Sequence, residues 1–101
     1  MDLKGKIALV TGGSNGIGKQ TALQLIKEGA TVYITGRNKQ RLQAAANEIG
    51  ARPILADSSI QTDVDRVFSQ IMSENDSFDI LINNAGFGAA SMPHQNLRYA
   101  D

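Results

Sequence analysis

The sequence predicts an α/β domain built on a parallel sheet with helices on both faces. Three observations carry that prediction. Apolar runs and amphipathic stretches alternate along the chain in the order βαβαβαβ. The apolar runs are near-continuous, as in Ile7-Ala8-Leu9-Val10 and Ile80-Leu81-Ile82, which is the pattern of strands buried on both sides. The first run passes through a glycine-rich turn into a helical pattern. Right-handed crossovers then give four strands in the order 3-2-1-4.

The elements follow one by one. The first strand is Lys6 to Thr11. The first helix runs from about Asn15 to Glu28, with apolar residues Ile17, Ala22, Leu25 and Ile26, and Gly29 stands where a left-handed residue ends it. Thr31 to Thr35 is β-branched and aromatic and reads as the second strand. Asn38 caps the second helix, whose face is Leu42, Ala45, Ala46 and Ile49, and Gly50 ends it. Pro53 to Ala56 is the third strand. Proline has no backbone donor, so this is an edge strand. Ser58 and Gln61 have capping-box spacing before the third helix, which shows Val64, Val67, Phe68, Ile71 and Met72 on one face. Phe78 to Asn83 is the fourth strand. Residues 1–86 form one unit, and 87–101 read as a loop or poorly ordered tail.

Composition excludes several function classes. Ten basic and ten acidic residues leave no net charge, and no basic run points to nucleic acid. The chain has no cysteine, so disulfides and thiolate metal sites are ruled out. No apolar stretch reaches membrane-spanning length, and the start lacks a secretory apolar region. The expectation is a cytoplasmic protein with no metal site. His94 is the single histidine and reads as a surface loop residue.

The stretch Thr11-Gly12-Gly13-Ser14-Asn15-Gly16-Ile17-Gly18 lies between the first strand and first helix. Strand, glycine turn and helix in that order make an anion site, because free N–H groups and the positive end of the helix dipole converge on the turn. The glycines serve a tight turn, close approach to a phosphate and close helix packing. As Thr-Gly-x-x-x-Gly-x-Gly, this stretch resembles the cofactor motif of the short-chain dehydrogenases/reductases. Asn83-Asn84-Ala85-Gly86 resembles the family's N-N-A-G. The resemblance covers the chain up to about Gly86 and implies a Rossmann-type fold, here truncated relative to the full family fold.

The resemblance also implies roles. Gly12, Gly16 and Gly18 form the dinucleotide turn. Ser14 and Asn15 lie along the phosphates or the adenosine ribose, and Ile17 offers a backbone N–H to the pyrophosphate. Asn83 and Ala85, with Gly86 closing the motif, flank the ribose. Thr11 ties the first strand to that segment, and Asn84 is a structural amide. Asp57 accepts from the adenine amino group, or else is a carboxylate favoured by the third helix's N-terminus. A unit that takes NAD carries Asp or Glu at the end of its second strand. This chain has Gly36-Arg37-Asn38, and Arg37 offers a fork of donors matched to a 2′-phosphate. NADP(H) is therefore the expected cofactor and NAD(H) the less favoured one, with Arg37 as a solvated loop residue the alternative.

In the family, a serine and a Tyr-x-x-x-Lys pair do the chemistry. These 101 residues hold no counterpart: Tyr33 lies inside a strand and Tyr99 has no lysine four residues on. No catalytic residue is assigned. The expected function is the NADP(H)-binding portion of an oxidoreductase moving hydride between nicotinamide and a carbonyl or alcohol, incomplete and inactive as this chain. A non-catalytic nucleotide-binding or interaction module, or an inactive gene remnant, are the alternatives. The apolar fourth strand has an open edge in this reading, which invites self-association.

Overall fold

Five apolar or β-branched residues without a polar break form β1 (Ile7–Thr11), and all five are buried. The computed structural model describes residues 2–84. After β1 come α1 (Gly16–Lys27), β2 (Thr31–Gly36), α2 (Lys39–Ile49), β3 (Arg52–Leu55), α3 (Gln61–Glu74) and β4 (Ile80–Asn83). All strand pairs are parallel, and the sheet order is β3-β2-β1-β4. This is the predicted topology. Its strand order reverses between β1 and β4, so a crevice opens there at the strands' C-terminal ends.

The two-residue period of the strands divides the core between the sheet faces. Leu9, Tyr33, Ile54 and Leu81 meet α3 through Val67, Phe68 and Ile71. Ala8, Val10, Val32 and Ile34 meet α1 and α2 through Ala22, Leu42 and Ala46. A fully buried side chain of the Leu or Ile type contributes about 1.5–3 kcal/mol. Phe68 and Phe78 stack with ring centroids 5.1 Å apart, which fixes the turn between α3 and β4.

Register is set by polar contacts at the strands' starts. The Ile7 N–H donates to Asp79 Oδ2 at 2.8 Å, and the Asp79 N–H returns to the Ile7 carbonyl at 2.9 Å. Together they pin β4 beside β1. Pro53 sits on edge strand β3, as its missing donor requires. The Arg66 guanidinium donates to the Leu55 carbonyl at 2.8 Å and shields part of that edge. Under α3, the buried Tyr33 hydroxyl donates to Glu74 Oε1 at 2.7 Å and accepts from Asn75 and Arg52.

Three local expectations are corrected. Ile17 is not on the buried face of α1: it is 77% exposed, while Gly18 and Ala22 are buried. The inward stripe starts at position 18, and Ile17 lies about 100° around the helix from it. Met72 is likewise exposed, one position past the stripe that ends at Ile71. Ser58 and Gln61 form no capping box. The N-cap of α3 is Ile60, without a side-chain cap bond, so Gln61 stands first in the helix and its amide donates to Asp65 instead. Asn38 does cap α2 and Gly50 ends it, as expected. Bounds differ slightly elsewhere: β3 ends at Leu55, although the Ala56 N–H still reaches the Gly36 carbonyl at 3.0 Å, and β4 begins at Ile80.

Candidate functional site

A cavity of about 720 Å³ opens at the C-terminal ends of the strands, lined by Gly12, Ser14, Asn15, Gly36, Arg37 and Asp57, with Asn38, Arg41, Ala56, Ser58, Ser59 and Asn84. The expected residues Gly12, Ser14, Asn15, Arg37 and Asp57 are therefore brought together. Gly16, Ile17 and Gly18 do not line this cavity but form the first turn of α1 beside it, and Asn83 ends β4.

The turn depends on backbone that only glycine adopts easily: Gly12 has φ 66° and Gly16 φ 56°. Gly18 serves packing. A Cβ there would run into the Gly12 carbonyl oxygen and stand 2.6 Å from Asn84 Nδ2. Gly13 was not singled out from sequence, yet a Cβ on it would stand 2.6 Å from Ile34 Cγ2. The Gly13 N–H donates to the Thr35 carbonyl at 3.1 Å, and the Gly12 N–H reaches Thr35 Oγ1 at 3.4 Å, so the turn is tied down to β2. Asn15 occupies the N-cap of α1 in extended conformation, and its side chain makes no capping bond. Among the described residues, the N–H groups of Gly16, Ile17 and Gly18 have no acceptor. The first donors of α1 are left open toward an anion.

The far wall is built differently. Arg37 follows β2 and is exposed, and Arg41 projects from the first turn of α2. Neither guanidinium has a hydrogen bond or ion pair among the described residues. Asp57 follows β3. The hydroxyl and backbone N–H of Ser59 donate to Asp57 Oδ1 at 2.6 and 2.9 Å. These two bonds, helped by the positive charge of Arg37, hold the Asp57 carboxyl below the usual range. It is ionised at neutral pH and its Oδ2 has no partner among the described residues. Asp57 thus closes a turn before α3 through Ser59 and lines the cavity.

At β4, the Thr11 hydroxyl lies 3.1 Å from Asn83 Oδ1 and accepts from the Asn84 N–H at 3.0 Å, which ties β1 to the segment after β4. Ala85, Gly86, His94, Tyr99 and the tail 87–101 lie outside the described residues. Sequence reasoning missed Gly13, Arg41 and Ser59. Arg41 left a readable sign, since it stands in the first turn of the helix that the Asn38 cap opens beside Arg37.

A parallel sheet with strand order 3-2-1-4, and a glycine turn opening an uncapped helix at its switch point, defines a Rossmann-type α/β unit. The chain belongs to the short-chain dehydrogenase family, whose model matches residues 6–100. It is 45% identical over 96 residues to mouse (Mus musculus) dehydrogenase/reductase SDR family member 1, covering 89% of this chain and 31% of that protein. It is 38% identical over 90 residues to the 3-oxoacyl-[acyl-carrier-protein] reductase FabG of Aquifex aeolicus, covering 83% of this chain and 36% of that one. Among solved structures, the Pseudomonas aeruginosa RhlG/NADP active-site complex superposes with a TM-score of 0.78 at 37% identity, over 84% of this chain and 36% of the other. The chain thus spans about a third of the length of the relatives it matches. Among the described residues, no helix is long and apolar enough to cross a membrane.

Proposed function

We propose that residues 1–86 are the dinucleotide-binding portion of an NADP(H)-dependent oxidoreductase, with the adenosine half of the cofactor in the 720 Å³ cavity. When bound, the nicotinamide exchanges hydride with a carbonyl or alcohol carbon. In this reading the open donors of Gly16, Ile17 and Gly18 receive the pyrophosphate. Ser14 and Asn15 line its path, and Asp57 accepts from the adenine. Asn83, with Ala85 and Gly86, closes the ribose side.

The observation that carries the NADP(H) assignment is the end of β2. Gly36 and Arg37 stand there, without a carboxylate, and the guanidinium is uncommitted among the described residues. A 2′-phosphate finds a fork of donors there, and no carboxylate ends β2 to repel it. The donor set and the cradle behind Gly18 suit the group. The RhlG/NADP complex named above lends the assignment support from a relative.

In this reading residues 1–86 supply the nucleotide site and no proton-transfer group, since the family's serine and Tyr-x-x-x-Lys pair have no counterpart among them. Among the described residues the outer side of β4 pairs with no strand, and self-association through it belongs to the same proposal. Light scattering at rising concentration checks that part.

The main test is titration with NADPH and NADH. NADPH binds more tightly, and Arg37→Ala narrows the gap. A charge-assisted hydrogen bond contributes about 1.5–3 kcal/mol, so NADPH loses about tenfold to a hundredfold while NADH changes little. Equal curves for the two cofactors in the unaltered chain would sink the assignment.

A further inference from the structure

We infer that Arg41, on the first turn of α2, is a second specificity-determining group for a phosphate on the adenosine ribose. The inference rests on the NADP(H) reading above and assigns that phosphate a residue that neither the sequence motifs nor that reading includes.

Three observations carry it. Arg41 lines the same cavity as Arg37, Gly36 and Ser14, and its guanidinium has no partner among the described residues. Its backbone is pinned. The Arg41 N–H donates to Asn38 Oδ1 at 3.0 Å, and the Leu42 N–H to the Asn38 carbonyl at 2.9 Å, so the cap of α2 holds the residue in place. Arg37, by contrast, stands on the bend before the helix.

The third observation is electrostatic. The first turn of α2 contains Lys39 and Arg41 and no acidic residue. A helix N-terminus disfavours cations, so this placement works against the helix. An anion in the cavity reverses the sign, because it meets the positive end of the dipole and two guanidiniums together. Arg37, Arg41 and Asp57 line the cavity together, so the two guanidiniums also balance the Asp57 carboxylate there. Lys39 serves as an internal control: it has the same charge in the same turn but does not line the cavity.

The experiment is a titration of Arg41→Ala, Arg41→Lys and Lys39→Ala with NADPH and NADH, alongside 2′,5′-ADP and 5′-AMP as short probes, with thermal melts of each chain. Arg41→Ala weakens NADPH and 2′,5′-ADP by about tenfold or more. It leaves NADH and 5′-AMP within about twofold, and leaves the melting temperature unchanged or raised. Arg41→Lys falls between, since an ammonium lacks the planar fork. Lys39→Ala stays within about twofold for every ligand. The inference is overturned if Arg41→Ala keeps NADPH affinity, if it weakens all four ligands alike, or if Lys39→Ala matches it. In the first case an intact Arg37 effect would leave the NADP(H) reading standing. Equal binding of NADPH and NADH by the unaltered chain would remove both.

Discussion

The helices α1 and α2 both begin after an asparagine, and the two asparagines act differently. Asn38 accepts the Arg41 N–H and so satisfies one of the first donors of α2. Asn15 also has extended backbone but makes no side-chain cap, and the first donors of α1 stay open. The local residue type is the same, so the difference comes from what precedes each helix. Before α1 the chain turns through Gly12 at positive φ, and the helix itself opens on Gly16, also at positive φ, so the turn directs the helix start at the crevice. Before α2 there is only a short bend carrying Arg37. One helix offers backbone donors, and the other offers side chains on a capped platform. Pyrophosphate and ribose phosphate are different targets, and the two constructions suit them separately.

The comparison is broken most severely at Gly16. Gly16→Val has room for the side chain, since nothing lies within 4 Å of an added Cβ, but not the backbone angle. Left-handed backbone at a β-branched residue costs about 1–3 kcal/mol, which either shifts the first turn of α1 or unfolds it locally. Affinity for NADPH and NADH falls together by about a hundredfold. Calorimetric titration reads it.

A second change sharpens the contrast between the caps. Asn38→Ala removes a formed bond and lowers folding stability by about 1 kcal/mol. Asn15→Ala removes no cap bond and changes stability by only a few tenths of a kcal/mol. Urea unfolding of the two variants measures both. Equal losses would mean that Asn15 caps in solution and that the open donors of α1 are not a property of the free chain.

The smallest effect on binding belongs to Asp57. Asp57→Asn weakens NADPH and NADH equally, and far less than the change at Gly16, because in the proposed pose it touches neither phosphate. Its pH dependence has a definite sign. Ser59 depresses the folded carboxyl, so the contribution of its ionisation is complete above the unfolded value of about 3.9. That contribution is lost only as pH falls through the lower folded value. NAD+ affinity therefore stays flat from about pH 8 to about pH 5 as far as Asp57 is concerned. A midpoint near neutrality that disappears in Asp57→Asn would contradict this.

Much of this architecture was legible in the sequence, for physical reasons. Continuous apolar strands alternating with amphipathic helices admit few topologies, and Pro53 placed β3 at the edge. The turn glycines and the Thr11 tie to Asn83 and Asn84 were also readable. Ile17 and Met72 were misplaced because hydrophobicity marks a face only to within one position, and each sits about 100° off its stripe. The Ser58 capping box failed because Asp57 and Ser59 form a turn there and push the helix start to Gln61. Gly13 was hidden because its neighbour, Ile34, lies on a different strand, and spacing does not report such contacts. Arg41 went unread for a different reason: a basic residue on an exposed helical position is ordinary until the fold turns that position toward a cavity.

The central claim is that the open first turn of α1 receives the pyrophosphate, while Asn38 caps the Arg41 amide of α2. Amide proton–nitrogen NMR spectra of the chain during titration with NADP+ test it directly. The account predicts large, saturating shifts at the Gly16, Ile17 and Gly18 amides, with the capped Arg41 and Leu42 backbone amides moving far less. Saturating shifts centred on the α2 amides, with Gly16 to Gly18 unmoved, would contradict it.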